Sequence, residues 1–213
     1  MIMGDLVLTE DEVTPAISSL QDKGIEVTAV HNHVLHESPR VMYMHIGGHG
    51  DAVKLATAVK EAIAVTKIPE PKPPAATPQD IGIDTAGIEQ ALGQKGKVNG
   101  GVFQVAVARA ENITEGGSMK VPNSMGISTA LNFQSTGGGK AAITGDFVLI
   151  GKEVNPVIQA LRSNGIEVTA LHSHMLDEQP RLFFMHFWAN DDAVKLAKGL
   201  RAALDKTNSQ KGK

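Results

Sequence analysis

The chain has no cysteine. That excludes a disulfide framework, a thiolate zinc ribbon and a cysteine nucleophile, and it leaves the compartment open. Aromatic residues are scarce, with six Phe, one Tyr and one Trp in 213 residues, too few for a platform on which bases or sugar rings stack. Neither sign of charge accumulates. Lys and Arg number 20 against 23 Asp and Glu, for a net charge of −3, so the concentrated basic face of a nucleic-acid binder is missing. No apolar run reaches the ~18 residues that a membrane-spanning helix needs. What is present is 42% hydrophobic and 20% charged residues, apolar enough for a packed core and too apolar for wholesale disorder.

The dominant feature is a repeat. Gly4–Ile63 aligns without a gap with Gly145–Leu204, at an offset of 141, and 30 of the 60 positions are identical. Between the two lies IPEPKPPAATPQD, Ile68–Asp80, whose five prolines make an extended, semi-rigid connector. The expected organisation is a first repeat over residues 1–66, a Pro-rich linker over 67–84, a second and complete repeat over 85–207, and a disordered tail over 208–213. Thr85–Thr144 has no counterpart ahead of Gly4. Either the first repeat is incomplete at its N-terminus and the chain is a fragment, or both repeats share that one segment. The first strand is then expected to have a bare edge, covered by another chain in a homodimer or by Thr85–Thr144.

Period and punctuation give the elements. Gly4–Leu8 is a short apolar strand. Thr14-Pro15 and Asn155-Pro156 set a capping residue before a proline at the first helical position, and Gly24 and Gly165 mark the helix ends. Ile25–Leu35 alternates as a strand. Ser38-Pro39 turns the chain into a second strand, Val41–Ile46, and Asp51–Ile63 is an amphipathic helix. Upstream of the second repeat, Val98–Ala108 and a hairpin of Ile127–Phe133 with Ala141–Leu149 add strands. The Gly-rich run Thr136–Lys140 lacks the spacing of a phosphate loop and reads as that hairpin's turn. The predicted class is α+β: tandem duplicated βαββα modules, antiparallel sheets with helices packed on one face.

The chemistry lies in the histidines. Of eight, six form one pattern twice: His31-Asn32-His33 with His45, and His172-Ser173-His174 with His186. Residues two apart on a strand project to one side, so each His-x-His pair offers two imidazoles together and the next strand can supply a third. Three imidazoles with an open position suit zinc, and imidazole also suits copper, iron and nickel. A four-residue turn over 36–39 pairs His31 with Met44 and throws His45 to the other face. A five-residue turn, or a bulge, brings all three rings to one face. Candidates to hold the other ring nitrogen of each metal-bound histidine are Asp5/Asp146, Glu26/Glu167 and Glu37/Glu178. Glu37 and Glu178, in the loop beside the hairpin, are the candidate general bases. Arg40 and Arg181, after the turn proline, are the candidate substrate-binding residues. Met44 and Met185 should point away from the histidines into the core.

The run from Gly165 to Trp188 (GIEVTALHSHMLDEQPRLFFMHFW), with KGKVNGGVF from Lys95 and TGGGKAAITGD from Thr136, resembles the LppY/LpqO family of bacterial proteins, a domain of unknown function often found as two repeats. The resemblance implies an exported, periplasmic or envelope protein. A looser likeness, for the metal site alone, is to acetolactate decarboxylase, which is similar in binding zinc through a His-x-His pair and a later histidine. The expected function is a metal-dependent hydrolase of a small ester, lactone or related carbonyl substrate. The alternative is a non-catalytic protein of the envelope that binds a metal or a small ligand.

Overall fold

The structure is a computed structural model that describes residues 1–70 and 80–212, so the Pro-rich linker falls largely outside the described residues. Two compact bodies emerge. The first is Met1–Lys72 together with His172–Leu176, and the second is Pro73–Leu171 with Asp177–Lys213.

The first body runs β1 (Ile2–Thr9), α1 (Val13–Gln21), β2 (Glu26–His31), β3 (Val41–Gly48) and α2 (Ala52–Ile63). Its sheet has the order β1-β3-β2 and is antiparallel. Leu6 and Leu8 of β1 and Met44 and Ile46 of β3 meet Ala16 and Leu20 of α1 and Ala58 and Ala62 of α2 in one apolar core. Side chains alternate across a strand, so Asp5, His45 and Tyr43 are left on the opposite face.

Helix α1 begins earlier than Thr14-Pro15 predicts. A 3-10 turn at Glu10–Glu12 leads into it, and the Glu12 carboxylate reaches back to the Thr9 amide at 2.8 Å. This capping carboxylate satisfies a free amide at the helix start, a task the Thr14 hydroxyl would otherwise take. The helix closes where Gly24, at φ +74°, turns the chain left-handed. Asp51 caps α2 through the amides of Val53 and Lys54 at 3.1 and 3.0 Å.

The second body runs α3 (Thr85–Leu92), β4 (Gly96–Asn99), β5 (Val102–Ala108), the short ribbon of β6 (Thr114–Glu115) and β7 (Met119–Lys120), β8 (Ser128–Gly137), β9 (Lys140–Ile150), α4 (Val154–Ser163), β10 (Glu167–His172), β11 (Leu182–Asp192) and α5 (Ala193–Leu204). The large sheet has the order β10-β11-β9-β8-β5-β4. The class is α+β, as predicted, and the order strand, helix, two strands, helix recurs from β9 to α5. Phe133, Phe147, Phe187 and Met185 from the sheet pack with Ile88, Leu161 and Leu200 from the helices. The Gly-rich run is the β8–β9 turn, with Gly137, Gly138 and Gly139 all at positive φ. Val98–Ala108 is two strands, because Gly100 and Gly101 at φ +57° and +84° reverse the chain between β4 and β5. The tail expected to be disordered is pinned at its start: the Ala110 amide donates to Asn208 O, and the Gln210 amide to Ala108 O, at 2.9 and 2.8 Å.

Candidate metal centre

The histidines of the first body gather on the sheet face that the helices leave free. His31 closes β2 and pairs with Tyr43, while His45 on β3 pairs with Ala29. Neither predicted turn is realised. The β2–β3 connection runs from Asn32 to Arg40, and a register shift between Val27 and Ala29 sets the alignment. That bulge puts His45 opposite a residue two before His31, so both rings share one face. Their centroids lie 4.9 Å apart with planes 5° from parallel. His33 lies beyond the strand, in the loop, with its ring 5.1 Å from that of His31. The strand expected to run to Leu35 stops at His31, so it is the loop that delivers His33.

One ring nitrogen from each of His31, His33 and His45 lies within 4.8 Å of the others. Asp5 stands directly across from His45 in the β1–β3 ladder. Its Oδ2 is 3.9 Å from His33 Nε2 and 4.0 Å from His45 Nε2. Burial lifts the Asp5 carboxyl to about 6. Tyr43 stacks on His33 at 3.3 Å. Burial, helped by the charges of Glu37 and Asp5, raises its phenol above the ordinary value.

The segment His172–Leu176 brings two more imidazoles to this body. The Thr28 hydroxyl donates to the His174 carbonyl at 2.6 Å, His172 stacks on His31 at 3.4 Å, and His174 on His45 at 3.6 Å. His31, His172 and His174 also bring one ring nitrogen each to within 4.8 Å of one another. His31 and His45 are 8% and 9% exposed.

The ring protonation suits ligation. A carbonyl oxygen only accepts, so the contact of 3.0 Å between His31 Nδ1 and Asn32 O places the ring proton on Nδ1 and leaves the lone pair on Nε2. His172 Nδ1 faces Ser173 O at 3.4 Å in the same way. Burial, opposed by the Asn32 carbonyl, lowers the His31 pKa and favours the neutral, ligating ring. The orienting partners that the sequence offers are carboxylates. Those of His31 and His172 are backbone carbonyls, which no residue pattern announces.

In the second body, His186 on β11 faces Asp146 across the β9 ladder, and its Nδ1 donates to Gly145 O at 2.8 Å, the same carbonyl-held tautomer. Glu178 is fully buried, with Oε1 accepting from the Leu182 amide at 2.8 Å and Oε2 from Arg181 Nη1 at 3.1 Å. Arg181 therefore has a carboxylate partner already. In the first body, Glu37 has one carboxylate oxygen, Oε1, buried without a hydrogen bond. Arg40 is exposed, and its Nε lies 3.8 Å from Glu10. Glu26 is exposed on β2. Met44 and Met185 are fully buried in their cores, as their alternation requires.

A family described as Domain of Unknown Function (DUF1259) matches residues 1–65 and 86–206. The chain belongs to that family. The match takes in both His-x-His pairs and both later histidines, and leaves the Pro-rich connector out. No curated protein matches the chain.

Proposed function

We propose that the imidazole cluster of the first body holds a divalent transition metal, zinc first, and that the protein hydrolyses a small ester, lactone or related carbonyl compound. The observation that carries the metal reading is the convergence of His31, His33 and His45 nitrogens within 4.8 Å, with the Asp5 carboxylate beside them. Ligand atoms around tetrahedral zinc stand about 3.3 Å apart, as follows from bonds of ~2.0–2.1 Å. Side-chain rotations that shift the nitrogens by about an ångström would bring this set to that spacing. Bound there, a divalent metal supplies Lewis-acid chemistry, polarising a carbonyl and lowering the pKa of water. The role of proton acceptor falls, in this reading, to Glu37. It sits in the β2–β3 loop, its charge acts on Tyr43, and its Oε1 is buried with no hydrogen bond. Glu178, the corresponding residue of the second repeat, is engaged by Arg181 and the Leu182 amide and serves the loop instead.

That engagement favours a second reading, in which the protein binds metal or a small envelope ligand without turning it over. The resemblance to the LppY/LpqO family supports an exported setting for either. No helix among the described residues is long and apolar enough to cross a membrane.

Element analysis of untagged protein, followed by a panel of small esters and lactones with and without chelator, tests both. Retained metal with chelator-sensitive turnover that Glu37→Gln removes supports the hydrolase. Retained metal with no turnover leaves the binding protein. Protein that neither retains nor takes up metal sinks both metal readings.

A further inference from the structure

The two sheets treat equivalent strands differently. In the second body the outer edge of β9 is closed by β8, in register from Ala130 opposite Asp146 to Gln134 opposite Ala142. The approach is so close that a Cβ on Gly145 would fall 1.9 Å from the Ala130 carbonyl oxygen. Farther along, the Val148 amide donates to Thr129 Oγ1 at 3.0 Å, and its carbonyl accepts from Arg109 Nη1 at 2.7 Å. The same guanidinium grips both Glu153 oxygens, at 2.7 and 3.1 Å.

Each receiving residue has its counterpart 141 positions earlier: Gly4, Asp5, Val7 and Glu12. Val7 pairs with Tyr43 as Val148 pairs with Phe184, so its amide and carbonyl point to the outer edge too. Yet β1 is the edge of its sheet, and among the described residues no strand lies outside it. Val7 is 47% exposed. A Cβ on Gly4 would meet only the side chain of Ile46, at 3.2 and 3.4 Å, so the glycine that a close strand demands is present where no strand has come. Glu12 accepts from the Thr9 and Lys67 amides, as Glu153 does from Ile150 and Asn208. The guanidinium is what differs. Beside the edge opens a groove of about 480 Å³, with Leu6, Leu8, Ile63, Ile68 and Glu12 in its lining. Lys67, the cation there, is occupied by Asp11 at 2.7 Å.

We propose that the outer edge of β1 accepts an extended segment of another protein, added antiparallel as β8 adds to β9. Apolar side chains of the segment enter the groove, and an arginine seats against Glu12. Strand addition of this kind draws affinity from main-chain hydrogen bonds and specificity from the side-chain pockets beside them. Charge chooses this occupant over a second copy of the chain. The β1 strand of a second copy carries an acid and no arginine, and Arg109 is buried against its own Glu153 and Glu111.

The probe is a synthetic peptide with the sequence of residues 109–137, labelled and titrated into the full chain by fluorescence anisotropy. Saturable binding is expected, weakened at least tenfold by Val7→Pro, which removes an edge amide that β3 does not use, and by Glu12→Gln. Replacing the peptide's arginine with methionine should weaken it similarly. Slowed amide exchange of Val7 on adding peptide to the wild-type chain supports the same site without any variant. Absence of binding overturns the proposal, and so does binding that both variants leave unchanged. A wild-type dimer that Val7→Pro dissociates, with no peptide bound, overturns it in favour of a second copy.

Discussion

His31 is the residue on which most of the site depends. It belongs to both nitrogen groups of the first body, and its ring contacts those of His33, His45, His172 and His174. His33 belongs to one group. His31→Ala is therefore expected to weaken metal binding by more than the ~10–100-fold that loss of an orienting partner brings, and His33→Ala, which removes a ligand of one group alone, by a smaller factor than His31→Ala. Competition with a chelating indicator measures both. Equal losses would refute the shared role of His31. A second residue-scale effect concerns acid. The amides of Thr9 and Lys67 hold the Glu12 carboxyl below its ordinary value, and the Lys67 ammonium brings neighbouring Asp11 to about 2. The unfolded chain takes up these protons more readily, so their contribution to stability is present above the ordinary carboxylate range and is lost as pH falls through the lowered values. Stability of the first body should fall below about pH 4, and Glu12→Gln should make that fall shallower. An acid titration followed by emission of Tyr43, the one tyrosine, gives the answer. The histidine pattern was legible because a dipeptide spacing on a strand is a geometric statement. The delivery of His33 by a loop was not, since strand ends depend on which partners the backbone finds across the sheet.

At the scale of elements, the glycines, prolines and apolar periods mark the strands and helices, and two features that they leave unmarked, the start of α1 and the Arg109–Glu153 pair, share one cause. Local capping preference starts α1 at Thr14. The structure starts it at Val13, because Glu12 serves at once the Thr9 amide and the distant amide of Lys67. A contact spanning 55 residues leaves no mark on a local window. The Arg109–Glu153 pair is the same kind of feature. Arg109 is nearly fully buried, bidentate to Glu153 and joined to Glu111 at 2.9 Å, and it ties β5, the start of α4 and the tail near Asn208 into one knot. Breaking a buried pair by removing one partner strands the other charge, at about 3–5 kcal/mol. Arg109→Ala should destabilise the second body by that amount, and a matched apolar replacement, Arg109→Met with Glu153→Leu, should recover part of it. Denaturant unfolding followed through Trp188, the one tryptophan and a residue of β11, reads the loss. If the single variant unfolds like wild type, the pair contributes no net stability.

At the scale of the molecule, the repeat was the most informative thing in the sequence, because it showed where the two halves differ as well as where they agree. Val7 and Val148, Glu12 and Glu153, Gly4 and Gly145 are matched residues in unmatched surroundings, and that contrast exposed the edge of β1. The repeat also divided the spectroscopy. Tyr43 stacks on a histidine of the first body, and Trp188 lies on a strand of the second, so each body has its own reporter. The two bodies have separate apolar cores, which makes separate unfolding transitions the expectation. A ligand that binds only the folded form stabilises it by RT ln(1 + [L]/Kd), about 2.7 kcal/mol at a hundredfold excess over Kd. With metal held by His31, His33 and His45, adding zinc should raise the transition seen through Tyr43, and chelator should lower it to the metal-free value. In His31→Ala the Tyr43 transition should no longer respond to zinc. A Tyr43 transition that ignores zinc in the wild-type chain would remove the metal from the first body, whatever element analysis finds in the whole protein.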